Sequence, residues 1–259
     1  MTATVSRSVQ WGVLTGMRKV ETPEQMTEEY RSTLIKLMYA LASTEFASVE
    51  QHHPWINQAP TAEDRFIQAQ VAADEAHQGF IDCRMLRHFG KDGEEMADRL
   101  LTLRMGNHPI AAFNVPMESW VDVTGYCFVM DLVAWYHLLA MENCSYAPIA
   151  REMTTMVGEE RFHASFGARR IKDLCKDPKY QDLCKAGPAD AQKTIDKWYP
   201  HALDTFGSAT SKFSELAVGF GIRKWGNEEL RQMYRKDIEP QIEKLGLKVP
   251  NPDKGRKIH

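Results

Sequence analysis

An aspartate stands in the middle of the longest apolar run of the chain. Residues 126–141 read Tyr-Cys-Phe-Val-Met-Asp-Leu-Val-Ala-Trp-Tyr-His-Leu-Leu-Ala-Met, with Asp131 flanked on both sides by side chains that need burial. A carboxylate carried into such surroundings is costly unless a proton, a cation or a metal compensates it. Twenty-nine residues later comes Glu160, followed by His163. A Glu and a His three apart on a helix leave it from one face. The stretch 131–163 therefore points to a metal site assembled between two antiparallel helices.

The first half of the chain repeats the spacing. Glu45 is followed thirty residues later by Glu75, with Asp74, His77 and Gln78 beside it. Two ions in an oxygen-rich site need anionic bridges and neutral imidazoles that face one another. In a bundle these come as one acid from each of two helices and a Glu-x-x-His pair from each of the other two. A single acid–histidine pair is weak evidence, since Glu50 and His53 form another just before Pro54. The nearly equal acid-to-acid spacing of the two halves carries more weight. Trp135, Tyr136 and Phe162 read as core packing.

The rest of the chain is helical by the same criteria. Thr22, Pro23 and Gln25 make a helix start, and the segment 22–51 carries the apolar stripe Leu34, Leu37, Met38, Leu41 and Phe46. Residues 60–89 form the next expected helix, closed by Gly90, with Phe66, Ala69, Ala73, Phe80 and Met85 on its inner face. Shorter helices are expected over 94–105, 189–206 and 227–245, and long ones over 117–144 and 148–174. No stretch alternates like a strand, and 207–226 carries no clear period. The expected fold is all-α: a four-helix bundle with additional C-terminal helices. It comprises an irregular arm (1–21), one helical domain (22–246) and an extended tail (247–259).

Composition excludes some roles. A formal charge of −3 over 259 residues argues against a nucleic-acid or anionic-membrane surface, although the tail 254–259 is basic. The apolar run is too short, and too charged at Asp131, to span a membrane. Five cysteines without a CxxC pair suit reduced thiols, and no leader pattern is evident, so a cytoplasmic protein is expected.

Several blocks resemble one known family. These are 27–31 (Thr-Glu-Glu-Tyr-Arg), 55–60 (Trp-Ile-Asn-Gln-Ala-Pro), 74–76 (Asp-Glu-Ala), 144–148 (Cys-Ser-Tyr-Ala-Pro) and 159–163 (Glu-Glu-Arg-Phe-His). Near the C-terminus, 227–232, 240–246 and 249–253 match as well. Together they are similar to the catalytic subunit of bacterial phenylacetyl-CoA ring-epoxidising monooxygenases, which are ferritin-like di-iron proteins. The resemblance implies Glu45, Glu75, Asp131, Glu160 and His163 as metal ligands and catalytic residues around two iron ions, with an Fe/Mn pair as a variant. It also implies O₂ and a CoA-thioester substrate, a non-catalytic helical partner subunit (or a homo-oligomer), and an external reductase, because the chain carries no reductase cofactor motif of its own.

Two positions depart from the family. Its second-helix histidine corresponds to Gln78 here, with His77 one place earlier, and a lysine one turn before the glutamate corresponds to Val71. Three arrangements are open: a π-bulge that turns His77 inward, Asp74 with His77 as the pair, or a site without this histidine in which His52 compensates. The adopted expectation puts His77 at the metal. The competing expectation is a metal-poor structural subunit, or a di-metal oxidase with another substrate.

Overall fold

The computed structural model describes residues 6–258. Nine α-helices occur among them: α1 (Glu28–His52), α2 (Ala62–Leu86), α3 (Lys91–Leu100), α4 (Trp120–Leu139), α5 (Ala147–Lys176), α6 (Pro178–Cys184), α7 (Pro188–Thr205), α8 (Lys212–Gly219) and α9 (Asn227–Lys244). No strand is present among the described residues beyond two isolated bridges, Ser8 with Arg18 and Val20 with Tyr146. The all-α, ferritin-like expectation holds. No helix of the described residues is long and apolar enough to cross a membrane.

Helices α1, α2, α4 and α5 form the bundle. Short polar side chains start three of its elements: Thr27 accepts from Tyr30, Thr61 from Asp64 and Ser119 from Asp122. In α5 the first turn holds Pro148. The expected start at Thr22 is a separate 3₁₀ turn, Pro23–Gln25, and the helix proper begins after Thr27. The segment 117–144 yields a helix of 20 residues instead of 28, because Ser119 caps it and a turn follows Leu139. Two helices were not anticipated, α6 opening at Pro178 and α8 within the segment without a clear period.

Helix α4 is central. It is buried almost all round, as expected for a helix apolar on every face, and packs on α5, α7 and α9. Tyr234 of α9 donates to the carbonyl of Val129, and Trp198 of α7 donates to Asp122. Gly167 lets α5 approach α4 closely, since a Cβ there would stand 2.2 Å from the backbone nitrogen of Phe128. That contact lies four residues beyond His163 and three before Asp131, so it sets the distance between the helices where the site is built.

Cross-links along the α2–α5 seam fix its register. Arg170 pairs with buried Asp64 at 2.6 Å, His163 meets Asp74, Gln78 reaches Glu160, and Arg84 pairs with Glu152. Numbers rise along α2 as they fall along α5, which is an antiparallel ladder with the acids at its centre. The tail 247–258 carries neither helix nor strand, turns at residues 252–253, and is tied to α7 through Gln192 and Asp204. Residues 1–5 of the expected arm and His259 of the tail lie outside the described residues.

The inner face expected for α2 is corrected. Phe66 is 71% exposed and Phe80 56%, and Ala69 and Ala73 are exposed too; Met85 alone of that set is buried. At about 100° per residue, Phe66 stands opposite Glu75, so both could not face inward. The structure turns Asp64, Gln68, Val71, Glu75, Gln78 and Asp82 inward instead. Phe162 is likewise partly exposed, whereas Tyr136 is core.

Candidate metal centre

Four carboxyl groups and one imidazole meet in the middle of the bundle. Glu45 comes from α1, Glu75 from α2, Asp131 from α4, and Glu160 with His163 from α5; none is more than 4% exposed. His163 Nδ1 stands 3.6 Å from Glu75 Oε1 and 3.5 Å from Glu160 Oε1. Single ligand-type atoms of Glu75, Glu160 and His163 all lie within 4.8 Å of one another. A second group with the same spacing comprises His52, Cys127 and Asp131.

The neighbours aim these groups. Asp74 Oδ2 is 3.2 Å from His163 Nε2 and accepts a hydrogen bond from it, which leaves Nδ1 turned toward the acids. Gln78 Nε2 donates to Glu160 Oε1 at 3.0 Å and to Glu159 Oε2 at 3.2 Å. His52 is wholly buried, with its Nδ1 2.9 Å from Gln68 Nε2.

Burial and mutual repulsion shift the protonation of these groups. Burial first, then the charges of Glu75 and Glu160, raises Glu45 well above the ordinary carboxylic acid range. Burial and then Glu160 do the same to Asp131, and Glu160 itself is pushed up to about 7 by burial and Glu75. Glu75 goes the other way: burial opposes ionisation, but the close, positively charged ring of His163 brings the acid down. His163 is held well above the usual imidazole range by Glu160 and Asp74 in spite of its burial. Without a metal, protons must do the work of cations here. Asp131 Oδ2, Glu160 Oε2, His163 Nδ1 and His52 Nε2 are buried and have no hydrogen-bond partner among the described residues. Such atoms are rare in native interiors and call for an occupant. Carboxylate oxygens with an imidazole nitrogen suit iron or manganese, and two dications would balance four carboxylates in charge.

His77 is not brought to this cluster. Its side chain is 51% exposed, and Nδ1 stands 3.8 Å from Glu159 Oε1 on the outer side of the seam. Two residues beyond Glu75 is a rotation of about 200°, three residues about 300°, so an unbroken helix sends Gln78 inward and His77 out. No π-bulge occurs in α2. Asp74 does reach the site, but as the partner of His163.

A cavity of about 430 Å³ reaches the centre at Glu45, the one acid of the cluster among its lining residues. Leu37, Leu41, Phe113, Met130, Val133 and Phe206 make it mostly apolar, and His137 and Arg223 supply polar groups. Sequence reasoning did not find this cavity, because α1, α4 and the segments 109–113 and 204–213 contribute to it from distant parts of the chain.

Residues 17–258 match the family described as "Phenylacetic acid catabolic protein". The chain is 30% identical over 236 residues to one of the subunits of 1,2-phenylacetyl-CoA epoxidase from Escherichia coli (strain K12), covering 90% of this chain and 74% of that protein. It is also 30% identical over 226 residues to benzoyl-CoA oxygenase component B of Aromatoleum evansii, covering 80% of this chain and 47% of that one.

Proposed function

Because the chain belongs to the phenylacetic acid catabolic protein family, we propose that it is the di-iron subunit of an oxygenase acting on an aromatic acyl-CoA thioester. The observation that carries this reading is the convergence of Glu45, Glu75, Asp131, Glu160 and His163 with unpartnered buried atoms. Those five residues would hold the two ions. Iron bound there would supply the redox chemistry that turns O₂ into an oxidant for insertion of one oxygen atom; an Fe/Mn pair would serve the same end.

The chain's own groups prepare the site. Asp74 accepts a hydrogen bond from Nε2–H of His163, so that Nδ1 offers its lone pair. Gln78 occupies Oε1 of Glu160 and leaves Oε2 to bind. Glu45, Asp131 and Glu160 are raised toward their neutral forms and must release protons as metal enters, which makes loading favourable at higher pH. The apolar cavity excludes water and would hold the aryl-acyl group beside Glu45, with the CoA nucleotide outside, since 430 Å³ suits a small ring and the start of its arm. Electrons would come from a separate reductase, and a helical partner subunit or a second copy would complete the assembly. A cytoplasmic location fits five free cysteines.

Gln78 favours a second reading, in which the chain binds little metal and supports a catalytic partner. Protein purified from iron-supplied cells and assayed for metal separates the two. Two irons per chain, lost in Glu160→Ala, are expected for the oxygenase. Absence of bound metal after attempted reconstitution would sink it. With loaded, chemically reduced protein, phenylacetyl-CoA or benzoyl-CoA should gain one ¹⁸O from ¹⁸O₂ by mass spectrometry.

A further inference from the structure

His52, the last residue of α1, stands two turns beyond Glu45 and so on the same helical face. It is 0% exposed, and its Nε2 has no hydrogen-bond partner among the described residues. A ring nitrogen of His52 lies within 4.8 Å of both a carboxylate oxygen of Asp131 and the sulfur of Cys127. Asp131 is the α4 acid of the centre just described. Leaving a buried imidazole nitrogen unsatisfied is costly. The placement makes sense if something at the centre binds it.

The other ring nitrogen is already provided for. Gln68, itself 0% exposed, stands with Nε2 2.9 Å from His52 Nδ1 and 3.0 Å from the His52 carbonyl, while its Oε1 is unpartnered. A histidine that binds metal through one nitrogen gives the N–H of the other to a carbonyl or carboxylate. A half-turn of the Gln68 amide exchanges its oxygen and nitrogen in place. Oε1, moved off the His52 carbonyl whose hydrogen bond from Gln68 is given up, then accepts from Nδ1–H, and the Nε2 lone pair of His52 is freed to bind.

We propose that His52 is a ligand of the metal centre, giving through Nε2 the second imidazole that Gln78 cannot, with Gln68 as its positioning residue. The proposal rests on the di-metal reading above. Each pair of helices then contributes one imidazole: His163 oriented by Asp74 in one half, His52 oriented by Gln68 in the other. Cys127 is not needed as a ligand, and its sulfur lies within 4.8 Å of an Asp131 carboxylate oxygen.

Cobalt(II) loaded into the whole chain tests this without catalysis. Each imidazole bound through one nitrogen keeps one exchangeable N–H, which a paramagnetic ion shifts far outside the ordinary proton NMR range. The expected wild-type spectrum has two such signals, from His163 Nε2–H and His52 Nδ1–H, at two cobalt ions per chain. His52→Gln, which keeps a buried amide beside Gln68, should lose one signal and weaken one of the two ions. Gln68→Leu should keep both ions but bind one of them about 10- to 100-fold more weakly. Two signals retained in His52→Gln, or a single signal in wild type with two ions bound, would overturn the proposal. The wild-type count stands even if a variant does not fold. Wild type that takes up no cobalt overturns the metal-centre reading itself, a result visible before any variant is made.

Discussion

The two helix pairs of this bundle place acids at nearly the same spacing, yet they are built differently. Where α4 meets α5, the wall is apolar and tight: Gly167 sits on the backbone of Phe128, and Asp131 is surrounded by hydrophobic neighbours. Where α1 meets α2, the interior is polar, with Gln51, His52, Gln68, Gln78 and Asp82 all buried. The first pair gives a glutamate and an imidazole with two partners on α2, Gln78 and Asp74. The second gives a glutamate with an amide three residues on, and its imidazole comes from the other helix. A tight, dry wall fixes ligand geometry by packing. A polar wall fixes it by hydrogen bonds, and so tolerates exchange of one donor for another.

The largest effect expected from breaking this contrast is at the tight wall. Gly167→Ala drives a Cβ into backbone atoms that cannot swing away, and should cost about 3 kcal/mol, at the upper end for overpacking. Urea or thermal unfolding reads the loss, and an unchanged midpoint would show that α4 and α5 can separate freely. Next comes the pH dependence of the metal-free protein. Asp82, raised by burial to about 8, and Glu160, raised to about 7, hold protons in the folded state that they lose when unfolded. Groups with raised acid pKa favour folding below their unfolded values, near pH 4, and that advantage fades as pH rises toward 8. The metal-free Tm should therefore fall between pH 5 and pH 8, roughly the interval these values span, and loading with iron should flatten the slope. A metal-free Tm that climbs over that interval would contradict the burial of neutral acids.

Smaller effects sharpen the polar side. Gln78→His puts an imidazole on the inward position of α2, and metal titration should show one ion bound more tightly than in wild type. If affinity falls, position 78 does not face the ions. His77→Ala removes only an exposed contact with Glu159, for which about 0–1 kcal/mol is expected. Iron content should not change; any loss would return His77 to the centre.

Much of this was legible in the residues. Asp131 in an apolar run, and the paired spacing 45/75 and 131/160, located the centre because helical rotation and length are set locally. The register of Gln78 against His77 was legible too, from the same rotation, but the family pattern pulled the reading toward the nearest histidine. The outward face of α2 was misread for a related reason. Hydrophobicity marked Phe66 and Phe80 as interior, while α2 turns Asp64, Gln68, Glu75, Gln78 and Asp82 inward instead. Gln68 and the cavity could not be found beforehand, since their meaning lies in contacts between segments far apart in the chain.

The cavity meets the cluster beside Glu45, the one acid of the five among its lining residues, and α4 packs closely on α5 at Gly167. A flat aromatic ring held there would offer a single face to the ions. Handedness of the product then follows from wall placement rather than from any group that grips the ring. Chiral chromatography should give one enantiomer, and a racemic product would mean that the ring turns over freely in its seat.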